Sequence, residues 1–212
     1  MDDKRSEDTN YKGGIYTVDI NTGNVSEIKV NQDVSRSYSV EWDKDGKCIF
    51  YTSSNQIIRH NIKTGEENIL YTDKYLGSTT SLKRSHDGDN LLFDVQVGNN
   101  EKQLKSIPVA GGESRIISKF STSGTPLLYK KLTISPDGKY IYFSTTDSES
   151  GSVLWRISAE TGNTEKICES KNRITGINIH PDGNQMAISI MDYGLEIRVI
   201  ENLVQELEKL EK

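Results

Sequence analysis

Residues 135–167 read SPDGKYIYFSTTDSESGSVLWRISAETGNTEKI, and much of the 212-residue chain consists of weaker copies of this unit. Pro136-Asp137-Gly138 and Glu160-Thr161-Gly162 are turn chemistry: proline presets φ, aspartate bonds its own backbone and glycine accepts positive φ. Between them, 140–146 and 153–158 are rich in the aromatic and β-branched residues that suit strands. The unit is therefore a turn, a strand, a loop, a strand, a second turn and a strand.

The copies keep a common spacing. Asp-Gly recurs at Gly46, Gly88, Gly138 and Gly183, with glycines 42, 50 and 45 residues apart. The second turn recurs as Thr22-Gly23, Thr64-Gly65, Gly111-Gly112 and Thr161-Gly162, with spacings of 42, 47 and 50. Two interleaved turn series with one period of about 45 residues, and four strands per period, select a β-propeller over a sandwich or barrel.

Each full repeat reads as four strands: 37–42, 47–53, 56–62 and 66–71; then 79–85, 90–97, 102–109 and 113–118; then 128–135, 140–146, 152–158 and 164–168. In 47–51 and 140–144, both second strands, the apolar run is nearly continuous, the pattern of a strand covered on both faces. In 56–61 and 113–117, a third and a fourth strand, polar and apolar residues mix, as expected nearer an outer edge with one face in water. Before the first repeat, 14–20 and 25–30 form a third and fourth strand alone; after the last, 174–179, 185–191 and 195–200 form a first, second and third. The expectation is an all-β propeller of about four to five four-stranded blades over 13–202, read as the C-terminal part of a longer propeller, with a five-blade ring carrying one displaced strand as the competing account. Residues 1–12 read as a disordered polar leader without a signal-peptide core. Residues 203–212 place Leu203, Leu207 and Leu210 on one face at helical spacing and read as a short amphipathic helix.

Composition excludes several function classes. Hydrophobic residues make up 33% of the chain and mean hydropathy is -0.61, with no apolar run of the roughly 20 residues that span a bilayer as a helix. Lys plus Arg number 26 against 31 Asp plus Glu, a net charge of -5 without a basic cluster, which argues against a nucleic-acid partner. Cys48 and Cys168 lie in separate strand-like runs and read as small buried thiols.

The candidate chemistry is sparse. His60, His86 and His180 are the histidines; His86 and His180 fall in first-to-second-strand turns of different repeats, where exposed turn residues are the default over metal or acid–base roles. The recurring Asp45, Asp87, Asp137 and Asp182 are explained by turns. A calcium loop starting at Asp43 fails at its sixth position, Cys48, where glycine is needed, and at its twelfth, Ser54, where a bidentate glutamate is needed. Trp42 and Trp155 read as core. The polar loops 72–78, 96–102, 120–126 and 145–152 remain for binding, with Tyr75, Phe120 and Tyr193 as loop aromatics able to anchor a partner, alongside His86 and His180. No catalytic, metal or cofactor residue is assigned.

The run Ser135-Pro136-Asp137-Gly138-Lys139-Tyr140-Ile141-Tyr142-Phe143, followed by Leu154-Trp155-Arg156-Ile157-Ser158 and Thr161-Gly162, resembles the TolB-like propeller repeat, also seen in tricorn-type and dipeptidyl-peptidase-type propellers. Pro108-Val109-Ala110-Gly111-Gly112 is similar to the family's turn between third and fourth strands, and the resemblance covers roughly residues 13 to 202. Resemblance to TolB itself implies a periplasmic six-bladed propeller with an extra N-terminal domain, which has no counterpart in this sequence, and the family resemblance favours a periplasmic, secreted or cell-surface location. The peptidase relatives carry a Gly-x-Ser-x-Gly elbow that is absent from this sequence. The functional expectation is a non-enzymatic scaffold binding a protein or peptide through its loop faces. The alternative is an accessory or substrate-gating propeller of a hydrolase whose catalytic domain lies elsewhere.

Overall fold

The structure is a computed structural model that describes residues 13–32, 39–76, 80–98, 101–121, 132–147, 151–191 and 195–200. Every regular element among them is a strand. Sheet A pairs β1 (Ile15–Val18) with β2 (Val25–Ile28). Sheet B is β3 (Val40–Trp42), β4 (Cys48–Ser53), β5 (Gln56–Asn61) and β6 (Glu67–Thr72). Sheet C is β7 (Leu82–Arg84), β8 (Asn90–Val97), β9 (Glu101–Pro108) and β10 (Arg115–Ser121). Sheet D is β11 (Thr133–Ile134), β12 (Tyr140–Asp147), β13 (Gly151–Ser158) and β14 (Thr164–Ser170). Sheet E is β15 (Arg173–Ile179), β16 (Met186–Met191) and β17 (Leu195–Ile200).

All five sheets are antiparallel meanders, so strand order in space follows strand order in sequence. In sheet D, Tyr140 opposes Ser158 and Phe143 opposes Trp155. The ladder between third and fourth strands shifts register at Ile57/Ile58, Ile116/Ser118 and Leu154/Trp155. Such bulges increase local twist.

The core is divided into four clusters, one at each junction between consecutive sheets. The second strand of each sheet decides this arrangement, because its side chains alternate between two neighbours. In β4, Ile49 and Tyr51 point towards sheet A, where they meet Ile15 and Ile28, while Phe50 points towards Leu91 and Phe93 of sheet C. In β8, Leu91, Phe93 and Val95 face sheet B and Leu92 faces Ile141 and Phe143 of sheet D. In β12, Tyr142 turns towards Ile177, Met186 and Ile188 of sheet E. Burying a side chain such as Phe50 stabilises the fold by about 1.5–3 kcal/mol, so each junction is held by several such contributions.

The reading of 47–51 and 140–144 as covered on both faces holds, since all six residues of β4 are buried and so are Ile141, Tyr142, Phe143 and Ser144 of β12. Other expectations need correction. Ile57, Ile58 and His60 of the third strand β5 are buried, because a fourth strand pairs beside it and both neighbouring sheets cover it. Trp42 is 47% exposed, at the end of the short strand β3, and is not core. The stretches 96–102 and 145–152 are mainly strand: β8 reaches Val97 and β9 begins at Glu101, while β12 reaches Asp147 and β13 begins at Gly151. The second-to-third-strand hairpins of sheets C and D are thus longer than that of sheet B, where β4 ends at Ser53 and β5 begins at Gln56, and most of 120–126 lies outside the described residues. The expected leader 1–12 and helix 203–212 lie outside the described residues.

Candidate functional site

Both turn series emerge at the same end of the sheets, since a meander places its first and third connections on one side. The first-to-second-strand turns share one construction. The N–H of the glycine donates to the carbonyl three residues back: Gly46 to Asp43, Gly88 to Ser85, Gly138 to Ser135 and Gly183 to His180, at 2.9–3.1 Å. The turn aspartate then accepts local bonds. Asp87 Oδ1 accepts the Ser85 hydroxyl at 2.5 Å and the Asp89 N–H at 3.0 Å; Asp137 Oδ1 accepts the Ser135 hydroxyl at 2.6 Å and the Lys139 N–H at 3.1 Å. These bonds hold both carboxyls below the usual carboxylate range, with the serine hydroxyl the larger cause in each. Asp45 is lowered by the Lys47 ammonium and N–H, and Asp182 by the Asn184 N–H and then His180.

The turns also touch one another. The residue before each turn aspartate lies over the glycine of the next sheet's turn: Lys44 over Gly88, His86 over Gly138 and Pro136 over Gly183. A Cβ at Gly138 would lie 2.8 Å from His86 Cβ, and one at Gly88 would lie 3.0 Å from Lys44 Cδ. Lys44 Nζ adds a 2.8 Å hydrogen bond to the Asp87 carbonyl.

Between sheets C and D this face opens into a cleft of about 280 Å³. Leu92, Ile134 and Ile141 line its apolar part, and Asp87, Asp137 and Arg115 are among its polar lining. His86 on Gly138 closes one flank. The 3.0 Å bond between the Ser118 and Thr164 hydroxyls ties the same two sheets together elsewhere. The cleft therefore presents ionised carboxylates and a guanidinium around an aliphatic patch, an arrangement suited to binding a polar group with an aliphatic stem.

The candidate residues do not converge. His86 lies in the turn of sheet C and helps line the cleft, while His180 lies in the turn of sheet E with Nδ1 2.8 Å from Asp182 Oδ1. Tyr75 is 40% exposed, with Lys74 Nζ 4.8 Å from its ring centroid. Phe120 belongs to β10, is half-buried and packs on Phe143 at 4.6 Å, which makes it part of the core junction. Tyr193 lies outside the described residues. Among the described residues no three His, Cys, Asp or Glu side chains group as metal ligands.

Two buried polar clusters went unread in the sequence. Glu67 Oε1 accepts the Tyr51 hydroxyl at 3.0 Å and the Asn31 N–H at 2.9 Å, and lies 3.0 Å from His60 Nδ1. Lys102 Nζ donates to Asp94 Oδ2 at 2.5 Å with both side chains under a tenth exposed, and Asp94 Oδ1 accepts the Ser81 N–H at 2.6 Å. The available signal was a charged residue inside a strand otherwise facing neighbours on both sides; its partner becomes visible only once the hairpin register pairs the strands.

At the level of sequence, no protein-family model and no curated protein matches the chain. Its arrangement in space does have counterparts. The structure of TolB from Acinetobacter baumannii matches with a TM-score of 0.65 at 18% identity, over 89% of this chain and 46% of that one. The fold is that of TolB-type β-propeller blades. The propeller match extends to hydrazine synthase from Kuenenia stuttgartiensis, TM-score 0.68 at 19% identity over 92% and 61% of the two chains. A prolyl endopeptidase also matches, with a TM-score of 0.61 at 14% identity over 89% of this chain and 30% of that one. This chain thus spans less than two-thirds of each of these propeller-containing chains. Their names cover unrelated activities, as expected when one fold hosts many sites.

Proposed function

We propose that this chain is a non-enzymatic propeller scaffold that binds a protein or peptide partner on its turn face. The observation that carries the reading is the cleft between sheets C and D, about 280 Å³, with Leu92, Ile134 and Ile141 beside Asp87, Asp137 and Arg115. That volume takes one or two side chains of a partner. Its flanks are turns stiffened by their own hydrogen bonds, so little order has to be imposed when a partner docks.

Selection from a random peptide library tests this. Enriched peptides are expected to bind in the micromolar range and to lose at least about tenfold in affinity on Arg115→Glu or Ile134→Asp, with the fold retained by circular dichroism. Binding indifferent to both substitutions, or turnover of a small substrate abolished by a point change, overturns the reading. A second reading is favoured by the match to prolyl endopeptidase, of which this chain spans 30%. In it the chain is the accessory propeller of a hydrolase, and its turn or loop face meets a catalytic domain.

A further inference from the structure

The cleft between sheets C and D marks a break in a pattern that sheets B and D keep. Arg59, Ser106 and Arg156 hold the same place in three successive sheets, each on the third strand opposite a second-strand residue: Phe50, Leu92 and Tyr142 in turn. Directly opposed residues of an antiparallel pair share a face of the sheet, and Phe50, Leu92 and Tyr142 all face the next sheet. An arginine therefore occupies this face in sheets B and D. The chain gives each of the two its own carboxylate. Arg59 Nη2 donates to Asp43 Oδ2 at 3.3 Å, and Arg156 Nε donates to Glu165 Oε2 at 3.2 Å, with the Arg156 guanidinium 4.6 Å from the Tyr140 ring centroid.

Sheet C reverses the arrangement. Ser106 is too short to reach a fourth-strand partner, and its hydroxyl donates to Asn90 Oδ1 at 3.4 Å. The guanidinium sits instead on the fourth strand, where Arg115 opposes Ser106 as Glu165 opposes Arg156 in sheet D. Arg115 lines the cleft, is exposed and, among the described residues, makes no hydrogen bond or ion pair through its side chain. The two aspartates of the lining are otherwise engaged. Each gives Oδ1 to its own turn; Lys139 Nζ lies 3.5 Å from Asp137 Oδ2, and Lys44 Nζ donates to the Asp87 carbonyl at 2.8 Å. With a lysine beside each aspartate, the Arg115 guanidinium is the uncompensated charge. The space that a third-strand arginine takes up in sheets B and D lies open beside it.

Within the peptide-binding reading above, on which this assignment depends, we propose that the cleft receives a glutamate side chain of the partner, its carboxylate paired with Arg115 and its methylenes on Leu92, Ile134 and Ile141. The contact reproduces, between chains, the Arg156–Glu165 pair already present in sheet D, with the carboxylate arriving from outside. A guanidinium and a carboxylate form a charge-assisted pair with a geometry of its own, which the neutral isostere glutamine does not match.

Binding of the full chain to peptide pools that differ at a single central position, fixed as glutamate, glutamine, lysine or leucine, tests the proposal. The other positions are drawn at random from uncharged residues and the C-termini are amidated, so the fixed residue is the only charged side chain. The glutamate pool is expected to bind at least about tenfold more tightly than the glutamine pool. Arg115→Glu should reverse the order of the glutamate and lysine pools, a change that loss of packing does not produce, and the exposed position of Arg115 lets the variant keep its fold. Leucine or lysine pools that bind the parent chain as tightly as the glutamate pool overturn the glutamate assignment and leave peptide binding standing. An order of pools that Arg115→Glu leaves unchanged does the same. Binding of no pool overturns both the assignment and the peptide-binding reading beneath it.

Discussion

His86 of one sheet lies directly over Gly138 of the next, so close that a Cβ on the glycine would come within 2.8 Å of His86 Cβ. The pair gives the recurring Asp-Gly a second role. The glycine turns its own chain through positive φ, 73° at Gly138, and it also leaves room for the neighbouring turn.

Gly138→Ala is therefore expected to destabilise the chain by about 2–4 kcal/mol, roughly 1–2 from the left-handed backbone and the remainder from overpacking. The overpacking part disappears when His86→Gly removes the opposing Cβ. A double-mutant cycle read by urea denaturation should give a coupling of about 1–2 kcal/mol between the two sites. Gly46→Ala, with open space around it, should show the backbone part alone. Additive effects of Gly138→Ala and His86→Gly would exclude the contact.

The Asp94–Lys102 pair is buried between the second and third strands of sheet C. Lys102→Met leaves an unpaired carboxylate in the interior and should cost about 3–5 kcal/mol. Replacing both partners, as Asp94→Asn with Lys102→Met, removes the isolated charge and keeps an acceptor for the Ser81 N–H. That double variant should be more stable than Lys102→Met alone, measured as the midpoint of urea unfolding.

Glu67 ties sheet A to sheet B through the Asn31 N–H while holding Tyr51 within sheet B. Tyr51→Phe removes a hydrogen bond to a buried carboxylate and should cost about 1.5–3 kcal/mol. Burial, and then the Glu67 carboxylate, push the Tyr51 phenol above its ordinary range. Its absorbance should accordingly stay that of the neutral phenol under alkaline conditions that ionise an exposed tyrosine, until the chain unfolds.

The turn carboxylates make stability depend on acid pH with a defined sign. Asp45, Asp87, Asp137 and Asp182 are all lowered in the folded chain. Between the folded and unfolded values the unfolded chain binds more protons, so stability rises with pH there. The contribution is complete above the unfolded aspartate value of about 3.9 and is lost as pH falls through the folded values. Ser135→Ala and Ser85→Ala remove the larger cause at Asp137 and Asp87. Each should flatten the dependence of the urea midpoint on pH below about 4 while leaving its slope near neutrality unchanged.

Both cysteines are free, and burial raises both thiols. A raised thiol has little thiolate at neutral pH and reacts slowly. Labelling by a disulfide reagent should be slow in the native chain and become rapid for both residues in urea. Fast native labelling of Cys48 would show that β4 opens on its own.

The sequence alone determined the repeat, its period and the type of every strand in the described residues, because those depend on local chemistry: φ at Gly138, self-bonding at Asp137, β-branched and aromatic residues between. It also marked the second strands as covered on both faces, since a residue such as Phe50 between Ile49 and Tyr51 leaves no polar face. Tertiary structure decided what each strand meets. Trp42 and Phe120 look equally apolar in sequence, but one ends a short strand in solvent and the other stacks on Phe143 of the next sheet. Lys102 looks like an exposed lysine until the hairpin register brings it to Asp94. The covering of Gly138 by His86 joins residues 52 apart in the chain, and no local rule announces it. Turn and strand preferences act over a few residues and can be read from the chain. Packing, burial of charge and the cleft between sheets C and D depend on how whole sheets seat on one another, and that is settled only when the chain is folded.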